Sequence, residues 1–310
     1  MSRSKKAAQA ATAPAPHQNR TWFVSPEGGL RTGWLLAISL IGYAIAALAV
    51  RRGLTALFAA LFRAWGIDAE SAARAPRWAA AVYRWHGSAV TVIVCGALLM
   101  LSAVLRRLWL GRTGRAVFNG KALATAALTG LCAALAVAAL CLIPDSMRLQ
   151  WPLAAPRVTW ALPALCAVSL LAALAEEAFL KRVLFDGLRE RWGAIWAAGI
   201  TCALFFVSNG GYAGNVACGI NVLLLGGVCC ALYARRGLWA AAGFRWGWSV
   251  GTVFLMGFGG AEAAVYRLYG VSEAWLTGGD AGPVYGLWAT LLLAGILFWT
   301  LWKMKKKKTI

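Results

Sequence analysis

Charge is scarce in this sequence, and acid is scarcest of all. Of 310 residues only 14% are Asp, Glu, Lys or Arg, against about 25% in an ordinary soluble domain. Eleven residues are acidic and two are histidine. That scarcity beside an apolar majority excludes a disordered chain and most soluble enzymes. No stretch alternates apolar and polar residues with period two, which excludes a transmembrane barrel. None of the eight cysteines forms a CxxC pair. All of them (Cys95, Cys132, Cys141, Cys166, Cys202, Cys218, Cys229 and Cys230) lie in apolar stretches, so they read as small packing residues rather than metal thiolates.

What is present is apolar length. Hydrophobic residues make up 61% of the chain, in recurring runs of about 20 residues, the length that crosses a bilayer as a helix. A spanning backbone must satisfy its own hydrogen bonds, so the expected fold is an all-α polytopic transmembrane bundle. Eight helices are expected, at about 33–50, 88–105, 121–143, 158–184, 193–208, 216–234, 237–258 and 284–302. They form one transmembrane domain, 33–302. A polar Ala-, Pro- and Lys-bearing tail, 1–32, precedes it, and a basic tail, 303–310, follows. The first tail has the composition of a disordered cytoplasmic segment. It is not a typical signal peptide, because the first apolar run starts only near Gly33. Between the first two helices, Leu54 to Trp65 reads either as an interfacial amphipathic helix or as a loop on the bundle.

The net charge is +20. The basic residues sit between apolar runs, which points to membrane topology and anionic lipid rather than to nucleic acid. They concentrate in alternate segments: the N-terminal tail, Arg106 to Lys121, Lys181 to Arg191, Arg235 with Arg236, and Lys303 to Lys308. Both termini are therefore expected on the cytoplasmic side of a bacterial-type plasma membrane. The six arginines at 51, 52, 63, 74, 77 and 84 run against that pattern.

An ionisable residue inside a spanning helix costs several kcal/mol unless it finds a partner, so each one marks a candidate site. The fourth helix ends an apolar run with Glu176-Glu177-Ala178-Phe179-Leu180-Lys181. Adjacent carboxylates point about 100° apart on a helix. Glu177 and Lys181 are four apart in the favourable order for an ion pair. Glu176 gains no such local partner and must look to another helix or to water. A carboxylate in an apolar cavity beside water is the raw material of a general base. Both acids capping the membrane boundary near Arg182 and Arg189 is the other reading. In the seventh helix, Gly243, Gly247 and Gly251 repeat at four and offer a small-residue packing face. Arg245 and Ser249, also four apart, turn roughly the opposite way. Gly247-Trp248-Ser249-Val250-Gly251 is a literal GxSxG, but it lacks the strand-turn-helix context and a histidine partner, so it is a chance match.

In this order the landmarks resemble the CPBP family of intramembrane proteases, which contains the type II CAAX prenyl proteases and bacteriocin-processing proteins. The resemblance covers about 160–300. The family's EExxxR motif stands here as Glu176-Glu177-Ala178-Phe179-Leu180-Lys181, with Lys in the arginine position. Its FxxxH motif stands as Phe205-Phe206-Val207-Ser208-Asn209, with Asn for His. Its HxxxN motif stands as Arg245-Trp246-Gly247-Trp248-Ser249, with Arg for His and Ser for Asn. Trp275 to Pro283 resembles the loop before the last helix in some members.

The resemblance implies a catalytic set of Glu176, Glu177, Asn209, Arg245 and Ser249, supported by Lys181 and Phe205. In active members the first glutamate and the histidines activate a water. Here both histidines are gone. Asn does not titrate near neutral pH, and Arg stays protonated. An Arg245 facing Glu176 would grip it bidentately and leave it a poor base. The leading expectation is a catalytically degenerate member that binds or scaffolds an unidentified membrane protein or peptide. An active endopeptidase, with Glu176 activating water, is the alternative. An unrelated transporter or channel is the third reading, weakened because no inverted repeat is obvious. No cofactor is expected; the family has been described both as glutamic and as metal-dependent, so a metal stays open.

Overall fold

The computed structural model describes residues 30–68, 70–71, 74–111, 117–143, 147–150, 161–211, 215–258, 265–270, 274–278, 282 and 285–306. Most of the N-terminal tail, the last four residues, and Gly279 to Ala281 and Pro283 of the Trp275 loop lie outside these. The chain divides into two compact units, one ending at Gly42 and the other beginning at Tyr43. The first contributes the opening of helix α1, Thr32–Ala64.

The second unit carries the rest of α1 and everything after it. The helices are α2, Arg77–Leu110; α3, Gly120–Leu142; α4, Ala161–Glu177; α5, Asp186–Trp192; α6, Ala194–Ser208; α7, Val216–Arg236; α8, Leu238–Ser249; the single turn α9, Ala274–Thr277; and α10, Leu287–Lys306. Two wider π-helical segments continue helices: Ala178–Phe185 joins α4 to α5, and Val250–Leu255 extends α8. Among the described residues, six helical runs are long and apolar enough to cross a membrane, with α4 through α5 counted as one; α6 is a shorter apolar helix. The fold is a helical integral-membrane bundle.

Helix boundaries follow local chemistry. Asn119 and Asn215 cap α3 and α7, their side chains accepting from the amides of Ala122 and Cys218 at 2.9 and 2.8 Å. Gly111 ends α2 with φ 62°, the left-handed geometry that glycine tolerates. The first two helices are longer than the apolar runs alone indicate. Leu54 to Ala64 is not a loop: it continues α1 as helix. The helix stops before Gly66, φ 63°. An aromatic cluster then joins the two helices. Phe62 meets Tyr83 and His86 at 5.0 and 5.2 Å, and Trp65 meets Trp78 edge-on at 5.2 Å.

One short strand pair has no signature in the sequence. Met147–Gln150 (β1) pairs antiparallel with Arg267–Gly270 (β2), Met147 opposite Gly270. Four residues are too few for periodicity to register.

The tightest helix contact is between α3 and α8. A Cβ at Gly243 would meet the Leu123 carbonyl, and one at Gly247 the Ala127 carbonyl. One at Gly251 would meet the Ala134 side chain, and one at Gly130 of α3 the Phe244 carbonyl. Small residues let the backbones touch, which is how helices associate where no hydrophobic drive exists between them. That contact turns Arg245 to the other face, toward α4 and α6. On the opposite flank, Cys95 and Leu98 of α2 pack with Ala175 of α4, with Tyr43, Ala46 and Ala47 of α1 against them. Tyr43 stacks on Phe179, ring centroids 3.8 Å apart.

Gly247→Ala should lower stability by about 1–3 kcal/mol through overpacking. Gly199→Ala, where a Cβ meets nothing within 4 Å, should be neutral. Thermal unfolding in detergent compares them, and equal effects would contradict the close approach. A second outcome concerns the turn after α1. Asp68 accepts from the Ser71 amide, the Ser71 hydroxyl and the Glu70 amide at 2.6, 2.7 and 3.0 Å. These donors, the Ser71 amide first, hold its carboxyl below the usual carboxylate range. A lowered folded pKa gives stability that is present above the unfolded value of about 4 and is lost as pH falls through the folded one. Asp68→Asn should therefore unfold at a lower temperature than the parent chain at neutral pH. That gap should close as pH falls below the lowered folded pKa; a gap that persists once the carboxyl is protonated would refute the assignment.

Candidate functional site

The site forms where the end of α4 meets the C-terminal end of α6 and the middle of α8. Glu176 and Glu177 close α4, and the π-helical segment begins immediately after them. π-turns insert an extra residue and occur often at functional sites. Here the wide turn carries Lys181 into the interior, where neither it nor Glu177 has any exposed side-chain surface.

Glu176 draws donors from two other helices. Arg245 Nη2 donates to its Oε2 at 2.6 Å. Ser208 Oγ and Asn209 Nδ2 donate to its Oε1 at 2.9 and 2.8 Å. The same Arg245 nitrogen also donates to Asn209 Oδ1 at 2.9 Å, closing the ring of contacts. Asn209 Nδ2 and Ser208 Oγ are further tied to the Phe205 carbonyl at 3.0 and 3.1 Å. Both positions where histidine stands in the family pattern therefore converge on Glu176, but as donors that hold it.

Arg245 does not fork onto a single carboxylate as the sequence reading expected. Its second nitrogen, Nη1, lies 3.8 Å from Glu177 Oε1. The guanidinium bridges both acids because adjacent residues on α4 present their carboxylates at different angles to α8. Glu177 lies 4.0 Å from Lys181. Neither Glu177 oxygen accepts a hydrogen bond among the described residues, so it meets its two cations by charge rather than by direct hydrogen bonding. Phe205 lies between those cations. Its ring centroid is 4.9 Å from the Arg245 guanidinium carbon and 5.7 Å from Lys181 Nζ, within cation–π range. The ring is fully buried and sits against Gly226 of α7, where a Cβ would press on it.

Of the residues read from the sequence, Glu176, Glu177, Lys181, Phe205, Asn209 and Arg245 are brought together. Ser249 ends α8 one turn beyond Arg245, and among the described residues the donors to Glu176 are Arg245, Ser208 and Asn209 rather than Ser249. Ser208 was missed. Its signal was its place between Phe205 and Asn209 at the end of α6, where its hydroxyl joins the amide of Asn209 on the same oxygen.

Chemically, the cluster balances two acids with two bases. Among the described residues no three His, Cys, Asp or Glu side chains gather as ligands. The two carboxylates that do meet are faced by Lys181 and Arg245, and two resident cations do not suit a divalent metal, which wants about three neutral or anionic donors. The donor set does not fit one. Glu176 keeps 23% of its side chain exposed, and Arg245 keeps 14%.

Residues 158–251 match the family model described as Type II CAAX prenyl endopeptidase Rce1-like. This is the group of intramembrane proteases that the glutamate pair and the two altered motifs resemble, and the matched stretch contains every residue of the cluster. No curated protein and no solved structure matches the chain.

Removing one member of the buried Glu177–Lys181 pair should cost about 3–5 kcal/mol, because the other charge is left uncompensated. Glu177→Gln and Lys181→Met should each lower the unfolding temperature strongly, and the double variant should recover much of the loss. Thermal unfolding of the three variants checks this; a double variant as unstable as the sum of the singles would contradict it.

Proposed function

We propose that this chain has the architecture of an intramembrane endopeptidase and binds a membrane-embedded peptide or protein segment without cleaving it. The observation that carries the reading is the 2.6 Å contact from Arg245 to Glu176, with Ser208 and Asn209 on the other carboxylate oxygen. A general base must offer a lone pair to water and take its proton. Charge-assisted hydrogen bonds on both oxygens make that carboxylate a weak acceptor. No histidine stands in the cluster to relay the proton, and the loss of acid–base help typically costs about 10²–10⁴-fold in rate. On this reading Glu176 and Arg245 have a structural role, and the exposed edge of Glu176 faces the place where a peptide would lie.

A second reading, an active glutamate-dependent endopeptidase, draws on one observation. Glu176 is still partly exposed, beside the Asn209 amide, a group able to donate a hydrogen bond to a developing oxyanion.

Proteolysis of a panel of membrane peptides in reconstituted vesicles separates the two. The parent chain should be silent, and Asn209→His with Arg245→His should release activity that Glu176→Gln then removes. Cleavage by the parent chain that vanishes in Glu176→Gln would overturn the degenerate reading.

A further inference from the structure

We infer that the tip of the α1–α2 hairpin docks an acidic, extramembrane segment of a partner protein, seating one of its apolar side chains between Trp65 and Trp78. This surface lies apart from the Glu176 cluster and does not depend on how that cluster is read.

Helix length carries the tip clear of the bilayer. The apolar run of α1 from Gly33 to Val50 is about 27 Å long, close to the ~30 Å of a hydrocarbon core. Arg51 and Arg52 close that run, yet the helix continues to Ala64, about 18 Å further. In α2 the apolar run opens near Ser88, and the helix begins at Arg77, about 16 Å earlier. The aromatic contacts of Phe62 with Tyr83 and of Trp65 with Trp78 pair these two extensions antiparallel. The arm therefore stands in water, and Leu57, Trp65 and Trp78 are 55%, 42% and 59% exposed on it.

The charge of the arm is one-sided. Arg63, Arg74, Arg77 and Arg84 are exposed, and none of them pairs with a carboxylate among the described residues. The acids at the turn are Glu70 and Asp68, and the Ser71 and Glu70 amides already engage Asp68. Arg74 lines a hollow of about 390 Å³ whose walls include Trp65, Ile67 and Trp78, a volume in the range of a ligand pocket. Unpaired guanidinium groups around an aromatic hollow complement a carboxylate-rich segment with an apolar anchor. Tryptophan and arginine also suit lipid headgroups. The headgroup layer is only about 5–8 Å deep on each side, however, and the arm reaches past it. A protein segment is the occupant that fits.

The test uses the full chain in phosphatidylcholine nanodiscs at about 0.15 M salt. A fluorescent, soluble peptide of glutamates with interspersed leucines is titrated, and its anisotropy is read. It should bind saturably, and its lysine counterpart should not bind. Trp78→Ala should weaken binding about tenfold, the loss of one aromatic anchor, and glycine in place of leucine in the peptide should do the same. Arg74→Glu with Arg77→Glu, both at exposed positions, should abolish binding and let the lysine peptide bind instead. Phosphatidylglycerol in the disc should leave binding unchanged, because the tip stands more than the ~8 Å Debye length from the headgroups. Displacement of the peptide by that lipid would place the tip on the membrane surface and overturn the proposal. Absence of binding to the parent chain, or variants that keep the parent affinity, would overturn it as well.

Discussion

Two adjacent carboxylates at the end of an apolar helix are the constraint around which the centre of this protein is arranged. Glu176 and Glu177 cannot stay ionised in such surroundings without cations brought to them. Lys181 comes from their own helix, carried inward by the π-helical turn, and Arg245 comes from α8. Arg245 does the larger share, reaching one acid with each of its terminal nitrogens. The Phe205 ring between the two cations separates like charges while favouring both.

The packing far from the acids exists to make that geometry possible. Gly243 and Gly247 bring α8 against the backbone of α3. Arg245, two residues from each, is then directed at α4 and α6. A methyl group added on the glycine face would push the helix away and lengthen a contact on the other side. The α6 end contributes through Ser208 and Asn209, whose side chains are fixed by the Phe205 carbonyl before they reach Glu176. Where an intramembrane endopeptidase would use histidine to move a proton, this chain places an amide and a guanidinium, which donate and do not relay.

Much of this was legible in the sequence. Apolar runs of bilayer length gave the helical membrane bundle, and the four-residue glycine spacing marked a packing face. The acids and Arg245 stood out because charge is so costly in those runs. Other features left no trace. The continuation of α1 past Arg51 and Arg52 was hidden because charged residues end an apolar run without ending a helix. The π-helical turn has no composition of its own, so the depth of Lys181 could not be read. Arg245 bridging two acids, rather than forking onto one, depends on the angle between α4 and α8. Ser208 was overlooked because a hydroxyl at a helix end usually bonds to its own backbone, and here it does so while also donating to Glu176.

The central claim is that Arg245 holds Glu176 as a structural ion pair. A double-mutant cycle with Glu176→Gln, Arg245→Gln and the combination tests it most directly, read as unfolding free energy in detergent. The account predicts that each single change is destabilising and that the pair is coupled by about 0.5–3 kcal/mol, the double variant losing less than the two singles together. Losses that simply add would show that the two side chains do not stabilise one another, and the account would be wrong.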